Sequence, residues 1–189
     1  PYYNKPNQEG VYRHFAYLAE RCDLPIILYN VPTRTITDIG VPVIHRLAEE
    51  YQTIVGIKDA TGNLGRVTAQ RLAAGPDFCQ LSGNDETALG FNAMGGRGCI
   101  SVTANVAPRL CANFQAACAA GDWSGALALL DGVYPLHDAL FSDSSPGPIK
   151  YAPTRVRADM PADVRLPITW PSESSRAAVD RALEIAGLV

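Results

Sequence analysis

The sequence predicts an α/β fold in which half of an eight-stranded parallel β/α barrel is followed by a helical domain. Over the first 120 residues, apolar β runs alternate with amphipathic helical patterns at intervals of about 25 residues, which is typical of parallel βαβ units. No glycine-rich fingerprint follows any of these runs, so an open dinucleotide-binding sheet is not indicated. From residue 121 onward the pattern is helical only. We therefore expect two domains, residues 1–120 and 121–189.

The predicted strands are short and rich in β-branched residues, whereas the predicted helices carry apolar residues three and four positions apart. Strands of the barrel half are expected at residues 24–31, 53–57, 78–82 and 98–103. Helices of the barrel half are expected at residues 8–22, 41–50, 63–74, 86–94 and 108–120. Helices of the second domain are expected at residues 123–141, 148–156 and 172–188. Four parallel strands are therefore predicted.

The composition excludes several classes of function. The chain has 189 residues, of which 47% are hydrophobic and 19% charged, as in an ordinary globular protein with a sizeable core. A net charge of −3 without a basic run argues against a nucleic-acid surface. No apolar stretch reaches the roughly 18 residues that span a bilayer. Five cysteines without a CxxC pair favour free thiols in the cytoplasm over a disulfide framework or a zinc site.

Lys58 is the residue at which the sequence predicts chemistry. It follows the apolar β run of residues 53–57 and is followed at once by loop-forming residues. Burial at such a position disfavours the charged amine, and the neutral amine that results can attack a carbonyl carbon. The alternative is a lysine whose stem follows the strand while its amine reaches solvent.

The ends of the other predicted strands supply groups that would surround this lysine. In a parallel barrel, active sites lie at the carboxyl ends of the strands. Period-two alternation places Lys58 on the same face as Gly56, and Tyr29 on the same face as Ile27. We expect the lysine and the tyrosine to point into the mouth of the barrel. Asp59 falls on the opposite face, where we expect it to support its neighbours or cap a helix.

Several motifs in the same order extend this pattern to the whole chain. They are Pro1-Tyr2-Tyr3-Asn4, Leu28-Tyr29-Asn30-Val31-Pro32-Thr33-Arg34-Thr35, Gly56-Ile57-Lys58-Asp59-Ala60-Thr61-Gly62, Ser82-Gly83-Asn84-Asp85 and Ile100-Ser101-Val102-Thr103-Ala104-Asn105. Together they resemble the dihydrodipicolinate synthase family of pyruvate-dependent class I aldolases. The resemblance implies a (β/α)8 TIM barrel, of which this chain is the second half, from the end of strand 4 to helix 8, with a C-terminal helical domain.

The resemblance also implies a reaction. Lys58 would form a Schiff base with pyruvate, and the enamine would attack aspartate 4-semialdehyde, a step of lysine (diaminopimelate) biosynthesis. Tyr29 would relay protons, and Tyr3 would join that relay from a neighbouring subunit of a homo-oligomer, a dimer or tetramer. The covalent imine would serve in place of a cofactor, and no metal would be required.

Three further residues would hold the substrates according to the same resemblance. Arg34 would bind the carboxylate of the aldehyde substrate, because a planar guanidinium holds a carboxylate with two hydrogen bonds. Gly83 and Ile100 would line the pocket, chiefly through their backbone. His14, His45 and His137 fall within predicted helices, away from the strand ends, and are expected to be surface or packing residues.

Two alternatives to this function stay open at the level of sequence. One is a related lyase that keeps the Schiff base but takes another aldehyde, such as N-acetylneuraminate lyase or a 2-keto-3-deoxy sugar acid aldolase. The other is a truncated, non-catalytic paralogue that acts as an assembly subunit. Four strands also leave two open sheet edges, which soluble monomers avoid, so we expect a second polypeptide, further residues or a second copy of the chain to complete the barrel.

Overall fold

The computed structural model describes residues 1–189 of the chain. The chain divides into two compact units, Pro1–Ile100 and Ser101–Val189. The predicted domains divide instead at residue 120, between the barrel half and the helical domain, and that division stays a prediction.

The first unit alternates helices with the strands of one parallel sheet. Its three strands are hydrogen-bonded in the order β1-β2-β3, and both pairings are parallel. The strands are β1 Ile26–Asn30, β2 Ile54–Asp59 and β3 Cys79–Ser82. The helices are α1 Gln8–Ala19, α2 Pro32–Thr35, α3 Val41–Glu50, α4 Gly65–Ala74 and α5 Ala88–Ala93. The predicted alternation and the parallel pairing are therefore present, and α2 is a short helix that the periodicity did not predict.

The predicted fourth strand at residues 98–103 is wrong as a regular strand. Cys99 forms a single parallel bridge with Ser82, and the Ile100 N–H donates to the Ser82 carbonyl at 2.9 Å. Gly98 has a φ of 149°, which interrupts the extended backbone before the bridge. A 3₁₀ turn, Thr103–Asn105, then redirects the chain. The segment follows the edge of β3 for a few residues without becoming a strand.

The two faces of the sheet have opposite environments. One face is buried and carries Leu28, Asn30, Ile57, Asp59, Gln80 and Ser82. Its apolar members belong to a core cluster with Val11 and Ala16 of α1 and with Ile44 and Leu47 of α3. On the other face, Ile27 and Tyr29 are exposed. The alternation in the sequence thus corresponds to one face of the sheet that is buried under helices and one open face. The predicted reactive groups lie on the open face.

The second unit is helical, as predicted. Its helices are α6 Pro108–Ala119, α7 Trp123–Ala139, α8 Gly147–Val156 and α9 Glu173–Ile185. Helix α6 packs against α7, and both α7 and α8 pack against α9. Fully buried residues Leu136, Leu140, Ala152, Val179 and Leu183 form the centre of their core. None of the helices in the chain has the length and apolar character needed to cross a membrane.

Local signals fix where several helices begin. The side chain of Asn7 accepts a hydrogen bond from the Gly10 N–H at 2.9 Å and so caps α1. Asp122 and Ser172 cap α7 and α9 in the same way. Proline occupies the first turn of α2, α3, α6 and α8, where the missing N–H removes no helical hydrogen bond.

Gly56 permits the close approach of β2 and β3 below Lys58. A Cβ atom at this position would collide with the carbonyl oxygen of Cys79 and lie 2.8 Å from its Cβ. We expect Gly56→Ala to lower the free energy of unfolding by about 1–3 kcal/mol, because overpacking forces the backbone of the two strands apart. Urea denaturation followed by circular dichroism measures this change.

The control for this variant is Gly132→Ala. Gly132 lies within α7, and a Cβ there meets no atom within 4 Å. Alanine is a better helix former than glycine, so the free energy of unfolding of this variant should rise by about 0.5–1 kcal/mol. Equal stability of the Gly56→Ala and unaltered proteins would contradict the inferred close packing.

Candidate active site

Lys58 and Tyr29 lie side by side on the open face of the sheet. They are register partners across β1 and β2, so their side chains leave neighbouring strands in the same direction. The amine nitrogen, Nζ, of Lys58 lies 4.2 Å from the centroid of the Tyr29 ring. Lys58 is half-buried and Tyr29 is 48% exposed. The structure therefore brings together the two residues that alternation predicted to share a face.

The contact between these side chains has a chemical consequence. An ammonium group over an aromatic face is attracted by the ring quadrupole. No carboxylate forms a salt bridge with Lys58, so the ring is the group that holds the amine in place. To act as a nucleophile, the amine must lose its proton, and the adjacent side chain of Tyr29 carries a phenol group that can exchange one.

Gly83 and Ile100 lie at the same edge of the sheet as Lys58. Asp59 pairs with Ser82 in the β2–β3 register, and the Gly83 N–H donates to the Asp59 carbonyl at 2.7 Å. A Cβ on Gly83 would lie 2.6 Å from the Cβ of Ala60, so only glycine fits here. Ile100 is exposed beside the end of β3. Their proximity to the strand ends agrees with the prediction, although their contact with a substrate stays a prediction.

Arg34 lies on α2, directly after β1. Its side chain is exposed and forms none of the salt bridges of the chain. Ile36, the residue that follows α2, has a φ of 55°, which is strained for a β-branched residue. The guanidinium is therefore available to bind an anion from outside the chain. The short loop that carries it contains one residue, Ile36, in a strained backbone conformation.

Tyr3 is not brought to the lysine within this chain. It precedes α1, is 85% exposed, and no hydrogen bond or ring contact joins it to Lys58 or Tyr29. Neighbouring Tyr2 is exposed as well. The predicted role of Tyr3 requires a second copy of the chain and stays a prediction.

Asp59 lies on the buried face, as alternation predicted, and its carboxylate is the centre of a polar network. It is 3% exposed. Oδ1 accepts from the backbone N–H and the hydroxyl of Thr61 at 2.9 and 2.6 Å. Oδ2 accepts from Nε of Arg66 at 2.9 Å and from Nε2 of Gln70 at 2.6 Å. Four donors, one of which belongs to the cation Arg66, therefore compensate the buried charge.

Sequence reasoning missed the partners of Asp59. Arg66 and Gln70 are four residues apart on α4, so they share one helix face, and that face packs against the buried side of the sheet. A polar pair at this spacing ordinarily indicates a solvated face. The signal in the sequence that could have identified Arg66 and Gln70 is Asp59, an acidic residue on the covered face of β2. A buried carboxylate there requires hydrogen-bond donors from another element.

No group of three or more His, Cys, Asp or Glu side chains is placed so that it could hold a metal ion. His14 and His45 are not buried, whereas His137 is buried and its Nδ1 lies 2.7 Å from the hydroxyl oxygen of Thr103. Both positions match the predicted surface and packing roles.

Comparison with known proteins identifies the family. Residues 1–186 match the model of the dihydrodipicolinate synthetase family. The chain belongs to this family. Among its relatives, the 4-hydroxy-tetrahydrodipicolinate synthases of Rhizorhabdus wittichii and Zymomonas mobilis are 66% and 60% identical to it. These matches cover all of this chain but only 64% and 65% of the two relatives, so the chain spans less than two thirds of their length.

Solved structures of the dihydrodipicolinate synthetase family support the fold. The dihydrodipicolinate synthase of Aquifex aeolicus superposes with a TM-score of 0.96 at 36% identity. The chloride-inhibited enzyme of Acinetobacter baumannii, which was solved in complex with pyruvate, gives 0.94 at 42% identity. Both matches cover 100% of this chain and 64% of the solved chain. The predicted fold class, the second half of a (β/α)8 barrel with a C-terminal helical part, is thereby confirmed.

The Asp59–Arg66 pair yields a prediction about stability. We expect Arg66→Met to lower the free energy of unfolding by about 3–5 kcal/mol, because truncation leaves the carboxylate of Asp59 buried without its cation. Arg71→Met on the same helix is the matched control. The guanidinium of Arg71 contacts the Met94 carbonyl and the Thr68 hydroxyl but no carboxylate. Arg71→Met should therefore lower the free energy of unfolding by only about 1 kcal/mol.

Chemical denaturation of the two variants measures the difference. Equal decreases in the free energy of unfolding for Arg66→Met and Arg71→Met would show that Arg66 is not needed to compensate the buried carboxylate of Asp59. A difference of several kcal/mol, as expected, assigns the stabilisation to charge compensation rather than to helix packing.

Proposed function

We propose that this chain supplies the catalytic lysine of a 4-hydroxy-tetrahydrodipicolinate synthase, which condenses pyruvate with aspartate 4-semialdehyde. The observation that carries the proposal is the placement of the Lys58 amine 4.2 Å from the Tyr29 ring centroid on the open face of the sheet. The names of the relatives and the pyruvate bound to the Acinetobacter baumannii enzyme support the same substrates.

The first half of the proposed reaction takes place at Lys58. Its neutral amine attacks the carbonyl carbon of pyruvate, the resulting carbinolamine loses water, and a protonated imine remains. The Tyr29 hydroxyl carries protons between the amine, the departing hydroxyl group and solvent. The positive imine nitrogen accepts electron density, so the methyl group can lose a proton and form an enamine. This covalent imine takes the place of a separate cofactor.

In the second half, the enamine carbon attacks the aldehyde carbon of the second substrate. Arg34 is the cation that we assign to the carboxylate of that substrate, because it is exposed and without an ion pair near the end of β1. Gly83 and Ile100 line the pocket, chiefly through their backbone, and the absence of a side chain at Gly83 lets its backbone pack against Ala60. Departure of the product requires hydrolysis or displacement of the imine, which returns the amine of Lys58.

We further propose that the protein works as a homo-oligomer in the cytoplasm. The exposure of Tyr3 supports delivery of this tyrosine to the active site of a second copy, where it joins the proton relay of Tyr29. None of the five cysteines is joined in a disulfide, as suits a reducing compartment. The state of assembly, dimer or tetramer, is measured by size exclusion with light scattering.

Borohydride trapping with pyruvate tests the Schiff base. Two proteins are treated: the chain itself, and a chimera in which the chain replaces the aligned part of the Rhizorhabdus wittichii relative. We expect reduction to add a pyruvate-derived group to Lys58, located by intact mass and peptide mapping. The chain contains only two other lysines, Lys5 and Lys150, which are exposed and serve as controls within the same sample. Lys58→Arg should abolish the adduct.

The outcomes of trapping separate two questions. An adduct in the chimera alone would mean that Lys58 is reactive only within the longer protein. An adduct at Lys5 or Lys150 with none at Lys58, or no adduct in either protein, would refute the assignment of Lys58 as nucleophile.

Arg34→Ala tests the identity of the second substrate in the chimera. Loss of a charge-assisted pair should lower kcat/KM for aspartate 4-semialdehyde by about 10–100-fold, since such bonds contribute about 1.5–3 kcal/mol. Pyruvate trapping at Lys58 should change little. Arg165→Ala, at an exposed arginine of the second unit, is the control. Unchanged activity in Arg34→Ala would favour a lyase that acts on a different aldehyde.

A further inference from the structure

The loop that carries Arg34 is closed at its base by Asn30, the last residue of β1. Asn30 is buried. Its Nδ2 donates to Oδ1 of Asp38 at 2.7 Å, and its Oδ1 accepts from the Ile39 N–H at 3.0 Å. One side chain therefore joins both ends of the loop that contains α2 and the strained Ile36.

Asp38 connects this loop to β2 as well. Its second oxygen, Oδ2, lies 3.2 Å from Nη1 of Arg66, whose Nη2 donates to the Ile39 carbonyl at 2.7 Å. The Nε of the same guanidinium binds Asp59. The side chain of Arg66 is 13% exposed and that of Asp59 is 3% exposed, so their contact is shielded from competing water, whereas Asp38 is 47% exposed. We call the chain of contacts through Asn30, Asp38, Arg66 and Asp59 the clamp.

The position of the clamp relates it to the reactive side chains. Asn30 and Asp59 are register partners, and each comes one residue after a residue of the proposed site, Tyr29 and Lys58 respectively. Because side chains alternate along a strand, the side chains of the clamp that belong to β1 and β2 lie on the covered face, whereas the reactive side chains extend from the open face. It holds the strand of Lys58, the strand of Tyr29 and the loop of Arg34 at one edge of the sheet.

We propose that Asp38 is a positioning residue that keeps the guanidinium of Arg34 at the distance from Lys58 that the second substrate requires. This inference rests on the proposed function. The side chain of Asp38 is 47% exposed, and ion pairs at such sites contribute little to stability. Its effect is therefore on geometry, where a displacement of about 1 Å in a positioned group can lower the rate about 100-fold.

Asp38→Asn in the chimera tests the proposal. The amide keeps the shape of the carboxylate but places an N–H group opposite a donor of Asn30 or Arg66. We expect KM for aspartate 4-semialdehyde to rise at least about tenfold, with borohydride trapping of pyruvate at Lys58 changed less than about twofold. Asp77→Asn, at an exposed aspartate with no hydrogen bond in the chain, is the matched control. Arg66→Lys, which keeps the charge but loses the fork of donors, should change KM in the same direction.

A double-variant cycle distinguishes positioning from a structural role. If Asp38 acts through Arg34, Asp38→Asn should have little further effect on KM once Arg34→Ala is present. Additive effects, an unchanged KM, or an Asp38→Asn protein that fails to fold would each overturn the proposal. The unaltered chimera reports separately on the proposed function, because a chimera without an adduct at Lys58 rejects the Schiff base rather than the clamp.

Discussion

The compensation of Asp59 is the constraint on which the first unit depends. A carboxylate that is 3% exposed requires donors from other elements, because burying an unpaired charge is strongly unfavourable. Thr61 supplies two donors from the next loop, and Arg66 and Gln70 supply the others from α4. The rotation of α4 against the sheet is thereby fixed by specific hydrogen bonds, whereas apolar packing alone tolerates several arrangements.

This constraint acts on the open face through the backbone. Lys58 and Asp59 are consecutive, so whatever fixes the carboxylate on one side fixes the stem of the lysine on the other. Tyr29 is held in the same manner by Asn30. The side chains that stabilise the sheet and those proposed to act on substrate are thus different residues with a common backbone. Substitution of Lys58 or Tyr29 should for this reason affect chemistry more than folding.

The sequence predicts the faces well because alternation is local. The period of two along a strand places Lys58 and Tyr29 on one side and Asp59 on the other, and the structure agrees. The partners Arg66 and Gln70 depend on how a helix is rotated against the sheet, which no local pattern specifies. The expected strand at residues 98–103 was wrong because its β-branched residues indicate strand while Gly98, at a φ of 149°, interrupts it. Helix α2 was missed because four residues are too few to show a period.

The network around Asp59 also has an unsatisfied member, which indicates how strongly the carboxylate determines the arrangement. Gln70 is fully buried and donates its amide N–H to Asp59, yet its Oε1 has no hydrogen-bond partner. An unpaired buried carbonyl costs about 1–3 kcal/mol, and an unpaired buried carboxylate costs more. Rotating the amide to satisfy Oε1 would withdraw a donor from the charged group. The observed orientation is therefore the one expected if the charge of Asp59, rather than the neutral amide, decides the hydrogen bonding between α4 and β2.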